Sequence, residues 1–372
     1  MRILYYGYGA NNHSWGVVAQ NFSRQFKKMG HEVDIFSTNG INHMPSDLLE
    51  NVIGHHPEND YDPTKITGRI PNKDYDMNFS FTIMRNFSKH LGFSSKNKFG
   101  IWCYEWENFF PKGFAKYHEN CDLLLPCSNH AKQIFLDAKI PEEKLSILPY
   151  GVDSNFYNFK DLGFNKSKVK YLSVMASTDE RKNITGLFTA WAKAFDKNSN
   201  VMWIIKVPKN EKTKHDFYKV YNYFKLNYKN MAEIKILNEY IENMQDLYYS
   251  CDIYYSLSKA ESFLIPALES VLAGKPVIAS NHGGALDFLN ASNSWLVQGK
   301  MVATPDHHVY YGEQANNSAR WFEPSISDAV IKLKQSKIDF LEKSKQISLT
   351  HEEYKNKFSW ESLAKQFLGY CK

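Results

Sequence analysis

The residues best suited to chemistry in this 372-residue chain stand in the segment A-E-S-F-L-I-P-A-L-E-S-V-L-A-G-K-P-V-I-A-S. Glu261 and Glu269 are eight positions apart in it. Pro266 suits a first helical turn, because its missing N–H is not needed there and its φ is preset. Glu261 then falls in the loop before the helix, and Glu269 one turn inside. The amides of Leu264 and Ile265 point out of the helix start, which carries roughly half a positive charge and favours an anion such as a diphosphate. Two carboxylates flanking that anion are placed to accept hydrogen bonds from ribose and sugar hydroxyls. A capped helix whose Glu269 only complements the dipole is the other reading of the same residues.

Lys206 stands late in the apolar run V-M-W-I-I-K-V. A lysine there needs a partner, and a cleft is one candidate. Five cysteines occur, without a C-x-x-C pair. That odd number argues against a disulfide framework and for a reducing cytoplasm. Cys121 and Cys127 lie between His118 and His130, but the spacing fits no common zinc pattern. No metal is expected.

The elements that must position these groups read as two βα-repeating halves. Residues 2–6 predict a strand, followed by the loop G-Y-G-A-N-N-H-S-W-G. A helix follows with Val18, Phe22, Phe26 and Met29 on one face and a stop at Gly30. Residues 31–38 predict the next strand. Further strands are expected at 98–103, 122–128 and 145–157, with a helix from the cap candidate Ser128. The organisation of residues 40–80 is not legible. Segment 158–168 is polar and marks a boundary. The pattern then restarts with strands at 169–176, 201–207, 234–237, 252–258 and 275–280. Helices begin after Asn183 and near Pro266. Two doubly wound sheets in tandem make a cleft, and ligands of such sheets bind beyond the carboxyl ends of the strands. That arrangement suits a two-substrate transfer enzyme or a hinged binding protein.

The segment around Glu261 and Glu269 resembles the Glu-x7-Glu signature of retaining nucleotide-sugar glycosyltransferases of the GT-B fold, family 4 type (glycosyl transferases group 1). Glu261, Phe263, Pro266, Glu269, Ala273, Gly274, Pro276 and Val277 fall in register, while Ser262 and Leu264 replace two glycines. C-D-L-L-L-P-C-S and L-P-Y-G-V-D-S-N-F resemble motifs at the end of the family's first domain. Asp122, Ser128, Pro149, Gly151, Val152, Asp153 and Phe156 match there. G-H-E-V-D-I-F-S, G-G-A-L-D-F-L with Asp287, and F-S-W-E-S-L-A-K-Q-F resemble three more family segments.

The resemblance implies an N-terminal acceptor domain over 1–162, with a last helix of about 355–372 packing back on it. It implies a C-terminal donor domain over 163–354, both Rossmann-like. The family's diphosphate-binding Arg and Lys correspond to A-S-T-D-E-R-K-N. Lys182 fits the lysine, Ser177 stands where the arginine belongs, and Arg181 is a substitute from next door. Glu261 is expected to orient the donor sugar and Glu269 to hold the ribose. Phe263, Leu264 and Ile265 border the donor, and Gly16 lets the first glycine-rich loop approach its phosphates. Glu105 in I-W-C-Y-E-W-E-N-F-F stands near the family's sugar-facing histidine, and His13 is an acceptor-side candidate.

The implied activity is retaining transfer of a hexosyl group from a UDP- or GDP-sugar to a glycan or glycolipid hydroxyl, without a cofactor or metal, in polysaccharide synthesis. The alternative is a non-catalytic nucleotide-sugar or carbohydrate binder of the same fold. A net charge of +5 is too mild for a dedicated nucleic-acid binder. No run approaches the ~18 apolar residues of a membrane span. A cytoplasmic protein is expected, with a peripheral contact to the inner membrane face left open.

Overall fold

The computed structural model describes residues 1–9, 14–42, 44–56, 66–71, 73–153, 159–208, 211–239, 241, 243–305, 309–310, 313–314 and 318–372. His13 and Phe156 lie outside the described residues.

The first half contains β1 (Arg2–Gly7), α1 (Ser14–Lys28), β2 (Glu32–Ser37), α2 (Ser46–Leu49), β3 (Val52–His55), β4 (Thr67–Gly68) and β5 (Tyr75–Phe81). α3 (Phe87–His90), β6 (Ser95–Ile101), β7 (Leu123–Leu124) and α4 (Asn129–Asp137) complete it. Its strands form one sheet in the order β4-β3-β2-β1-β5-β6-β7, parallel except for β4.

The second half contains β8 (Val169–Val174), α5 (Ile184–Ala194), β9 (Val201–Lys206), α6 (Glu211–Asn227), β10 (Glu233–Leu237), α7 (Met244–Tyr249) and β11 (Ile253–Tyr255). α8 (Ile265–Leu272), β12 (Val277–Ser280) and β13 (Ser294–Val297) follow. The second sheet runs β10-β9-β8-β11-β12-β13, all parallel. Both sheets reverse direction beside their first strand, so each has a switch point where a crevice opens.

After β13 come β14 (Gly299–Ala303), β15 (Val309–Tyr310), β16 (Glu313–Gln314) and β17 (Arg320–Pro324), with β14 and β17 paired as an antiparallel ribbon. The chain ends with the long helix α9 (Ile326–Phe358) and α10 (Trp360–Leu368). No helix among the described residues is long and apolar enough to cross a membrane.

Two expectations are corrected, and one unread stretch gains an element. The strand expected at 122–128 contracts to Leu123–Leu124. Pro126 has no N–H to continue a ladder, and Ser128 turns away to cap α4 by accepting from the Ala131 amide. The strand expected at 145–157 does not form over its described part. Leu145 bridges Leu124 and Val152 bridges Ser359, with no ladder between, and residues 154–158 lie outside the described set. The illegible stretch 40–80 contains β5, which pairs with both β1 and β6 at the middle of the first sheet.

The last helix returns to the first sheet. Phe367 meets Phe22, Phe26, Phe79 and Phe99 edge to face at 5.3–5.7 Å. Trp360 packs on Phe22 and closes over Gly151, where an added Cβ would lie 2.6 Å from the indole. Gly151→Ala must push α10 outward. It is expected to destabilise the protein by about 1–3 kcal/mol, as overpacking does, read from the shift of the urea midpoint.

Candidate functional site

A cavity of about 480 Å³ opens between the two sheets. One wall is the carboxyl end of β8 (Ser173, Val174) and of β11 (Tyr254, Tyr255), the switch point of the second sheet. The opposite wall is the start of α1 (Ser14, Trp15) and the segment after β6 (Cys103, Glu105). Phe263, Leu264, Ile265 and Pro266 bring the start of α8 to the rim. No side chain caps that start; Pro266 has no N–H and Ala267 N donates to Leu264 O, so the helix dipole and the Ile265 amide are what the start offers an anion.

Arg181 and Lys182 enter on a single 3-10 turn over Glu180–Lys182. The local sequence D-E-R-K-N builds this turn. Asp179 accepts from the Arg181 amide at 2.9 Å. Asn183 takes a left-handed conformation (φ 54°), accepts from Gly186 N and donates to Leu257 O. Arg181 points inward, held by partners from elsewhere in the chain. Its Nε lies 3.1 Å from Glu105 Oε1, and its Nη1 donates to Ala260 O at 3.0 Å and contacts Glu261 Oε2 at 3.3 Å. Lys182 Nζ pairs with Glu261 Oε1 at 2.5 Å. Ser262 Oγ donates to Glu105 Oε2 at 3.4 Å.

Two cations and two carboxylates thus share a largely desolvated space, and one carboxylate comes from the opposite wall. Burial pushes the Glu105 carboxyl above its ordinary value although Arg181 pulls it down. For Glu261, burial also opposes ionisation, but Lys182 and Arg181 together outweigh it and the net shift is downward.

The remaining candidates stand differently. Glu269 sits one turn into α8, outside the cavity lining, and accepts from the Tyr248 hydroxyl. Burial lifts its carboxyl to about 7 against the pull of that hydroxyl. Gly16 is buried in the first turn of α1, behind Ser14 and Trp15. Lys206 ends β9 and turns its ammonium to Val207 O at 2.9 Å, away from the lining. The glycine pair lies under the loop before α8. Gly283 takes φ 87°, Gly284 N donates to Glu261 O, and a side chain at Gly284 would collide with Ser262 O.

Sequence reasoning missed a second cluster, Glu107, His130 and His282. These residues are distant in sequence, and only the folded chain brings them together. It also missed how closely the halves are tied. Ser128 Oγ donates to Ser262 O at 2.7 Å, and the Asn129 amide donates to Asp287 Oδ2 at 2.8 Å. The indoles of Trp106 and Trp321 stack at 5.7 Å.

Residues 156–308 match the family model described as Glycosyl transferases group 1. The structure is similar to that of Anabaena HepE in complex with UDP and glucose (TM-score 0.70, 14% identity, 99% of this chain and 98% of that one). It is similar to a glycosyltransferase from Rickettsia africae (0.70, 18%, 99% and 97%). It is also similar to sucrose-phosphate synthase from Thermosynechococcus elongatus (0.71, 12%, 99% and 98%). No curated protein sequence matches the chain. The likeness establishes the fold: two facing parallel α/β sheets in the GT-B arrangement.

Leu264 caps α8 with φ 71° and ψ 60°, a conformation that favours glycine and is worst for β-branched residues. Leu264→Val is therefore expected to destabilise by at least about 1 kcal/mol and by more than Leu264→Gly. Apolar burial alone gives the opposite order, and urea midpoints of the two variants decide.

Glu269 supplies a pH signature. Its folded value of about 7 exceeds the ordinary 4.5. Between these values the folded state holds a proton that the unfolded chain releases, so this group's contribution to stability falls as pH rises through that window. Glu269→Gln removes the slope. The Tm difference, variant minus wild type, is expected to grow from pH 5 to pH 7.5, and parallel profiles would contradict it.

Proposed function

We propose that the chain is a retaining glycosyltransferase that moves a hexosyl group from a nucleotide-diphosphate sugar, UDP- or GDP-linked, to an acceptor hydroxyl. Its place is in the synthesis of a surface polysaccharide or another glycoconjugate. The observation that carries this reading is the Arg181–Lys182–Glu261–Glu105 cluster at the uncapped start of α8, inside a cavity between two sheets. The match of residues 156–308 supports it, as does the likeness to a protein bound to UDP and glucose.

On this reading residues 1–162, with 355–372 returning to them, hold the acceptor, and 163–354 hold the donor. The diphosphate lies across the start of α8, facing the Ile265 amide and Lys182. Arg181 replaces the arginine absent at Ser177. Glu261 accepts from hydroxyls of the donor sugar, with Phe263, Leu264 and Ile265 bordering it, and Glu269 exchanges the Tyr248 hydroxyl for the ribose. Gly16 and Lys206 act on the donor only indirectly, Gly16 by bringing the start of α1 close behind Ser14 and Trp15 and Lys206 from the end of β9 outside the lining. Glu105 orients Arg181 and faces the reacting sugar. As the glycosidic bond breaks, negative charge grows on the diphosphate, where Lys182 and the helix start are already aimed. The acceptor hydroxyl attacks from the face the diphosphate leaves, and its proton passes to a departing phosphate oxygen. No protein carboxylate becomes covalently bonded, and no metal is needed at the diphosphate. The protein works in the cytoplasm.

Turnover tests this reading. Purified protein is expected to release UDP or GDP from one nucleotide sugar of a panel when an acceptor glycan is supplied. Binding of nucleotide without turnover would favour a non-catalytic binder. With the active donor, Lys182→Ala is expected to lower kcat as well as affinity, by about 10- to 100-fold, because its contact strengthens in the transition state. Glu269→Gln is expected to raise the donor KM with little change in kcat, the pattern of uniform binding.

A further inference from the structure

A second group of chemically capable side chains lies on the seam between the two halves, outside the cavity lining. Glu107 follows β6, His130 is the second residue of α4, and His282 follows β12. Glu107 Oε1 lies 3.0 Å from His282 Nε2 and 3.7 Å from His130 Nδ1. One ligand atom from each residue falls within 4.8 Å of the others. The side chains are mostly buried, at 30%, 13% and 19% exposure for Glu107, His130 and His282.

We propose that Glu107, His130 and His282 bind a divalent transition-metal ion of the zinc type, which staples the two halves of the molecule together. A tetrahedral ion bound about 2.0–2.1 Å from each ligand holds those ligands about 3.4 Å apart. The two separations from Glu107, 3.0 and 3.7 Å, bracket that value, and the two histidine nitrogens lie within 4.8 Å of each other. Two imidazoles and one carboxylate select zinc, cobalt or nickel over magnesium or calcium, which take oxygen ligands. Three protein ligands leave the fourth position to water.

The ligands are held by more than one another. Glu107 accepts from the Arg320 amide through its carbonyl at 2.8 Å. The His282 ring stacks on Phe322 at 5.1 Å and 9°. The His130 ring stands edge-on to that of His282, with 5.0 Å between centroids. His130 Nε2 is buried without a hydrogen-bond partner.

Glu107 and His130 belong to the first half and His282 to the second, so an ion here resists separation of the two. Glu107 is also two residues from Glu105, which lines the cavity. The ion would fix that segment without touching a diphosphate. The inference stands apart from the proposed transferase activity, because its ligands and its test are different.

The test uses the full chain with any affinity tag removed. Co²⁺ titrated into the wild type is expected to give the visible absorption of a tetrahedral site, saturating at one equivalent and bleached by Zn²⁺. Zn²⁺ is also expected to raise Tm. His282→Ala and His130→Ala are expected to weaken Zn²⁺ affinity at least 10-fold in equilibrium dialysis and to abolish the rise in Tm. Glu107→Gln, which keeps the shape of the side chain, covers the case in which an alanine variant misfolds and is expected to behave like them. Absence of a stoichiometric cobalt spectrum in the wild type overturns the proposal. So does a spectrum that survives in Glu107→Gln and His282→Ala alike.

Discussion

The arrangement at the centre of this molecule depends on keeping Arg181 and Lys182 charged in a space with little water. A buried cation without a partner is costly, and the cost is met only by opposite charge at close range with good hydrogen bonds. Glu261 supplies one negative group from the same half. Glu105 supplies the other from across the cleft, 3.1 Å from Arg181 Nε. Asp179, 3.8 Å from Arg181 Nε, adds a third carboxylate from the second half, and Arg181 keeps its closest carboxylate, Glu105, only while the two halves face each other. Several contacts keep them so. The Ser128 hydroxyl and Asn129 amide reach into the second half. The Trp106–Trp321 stack and the Arg320 amide bond to Glu107 close the other side.

The turn that carries the cations is tied into the same frame. The Lys259 amide donates to Arg181 O at 2.7 Å, and Lys259 O accepts from Phe322 N at 2.9 Å. The β14–β17 ribbon thus anchors the cationic turn from outside while its Trp321 reaches the first half. This ribbon shapes the site without supplying a group to it. Its sequence carries no sign of that role, because the partners of Trp321, Phe322 and Glu323 are distant in the chain: Trp106, His282 and Lys259.

Much of the site was nevertheless legible. The Glu261-to-Glu269 segment announced a loop, a proline-started helix and an anion-binding end, and the structure has the loop and an uncapped helix start there. Lys182 was legible from D-E-R-K-N, but the inward aim of Arg181 was not, since it depends on Glu105, 76 positions earlier in the chain. The strands of the second half were legible because they are apolar runs, as doubly covered parallel strands are. β5 was not, because Asp76, Asn78 and Ser80 interrupt its apolar residues. Asn78 and Ser80 are nevertheless buried, donating to His90 O and Tyr6 O. Such interior bonds are invisible until the partner strands are placed. The 145–157 segment erred in the other direction. Its apolar residues made it read as a strand, whereas in its described part Tyr150 packs on Phe263 and Gly151 lies under Trp360.

Leu264 shows how far the frame governs local geometry. A leucine at φ 71° is strained, and the strain persists only where the surroundings fix the backbone. Here they do. Gly283 and Gly284 lie close under residues 261 and 262, and Ser128 holds the Ser262 carbonyl. The segment from Glu261 to Leu264 is therefore clamped from both halves before α8 begins. Relaxing Leu264 would swing the helix start, and its Ile265 amide, away from Lys182. The contacts that keep Arg181 and Glu105 paired are thus the same contacts that hold the helix start on the cavity. Any change that lets the halves part would cost Arg181 its closest carboxylate and the helix start its aim together.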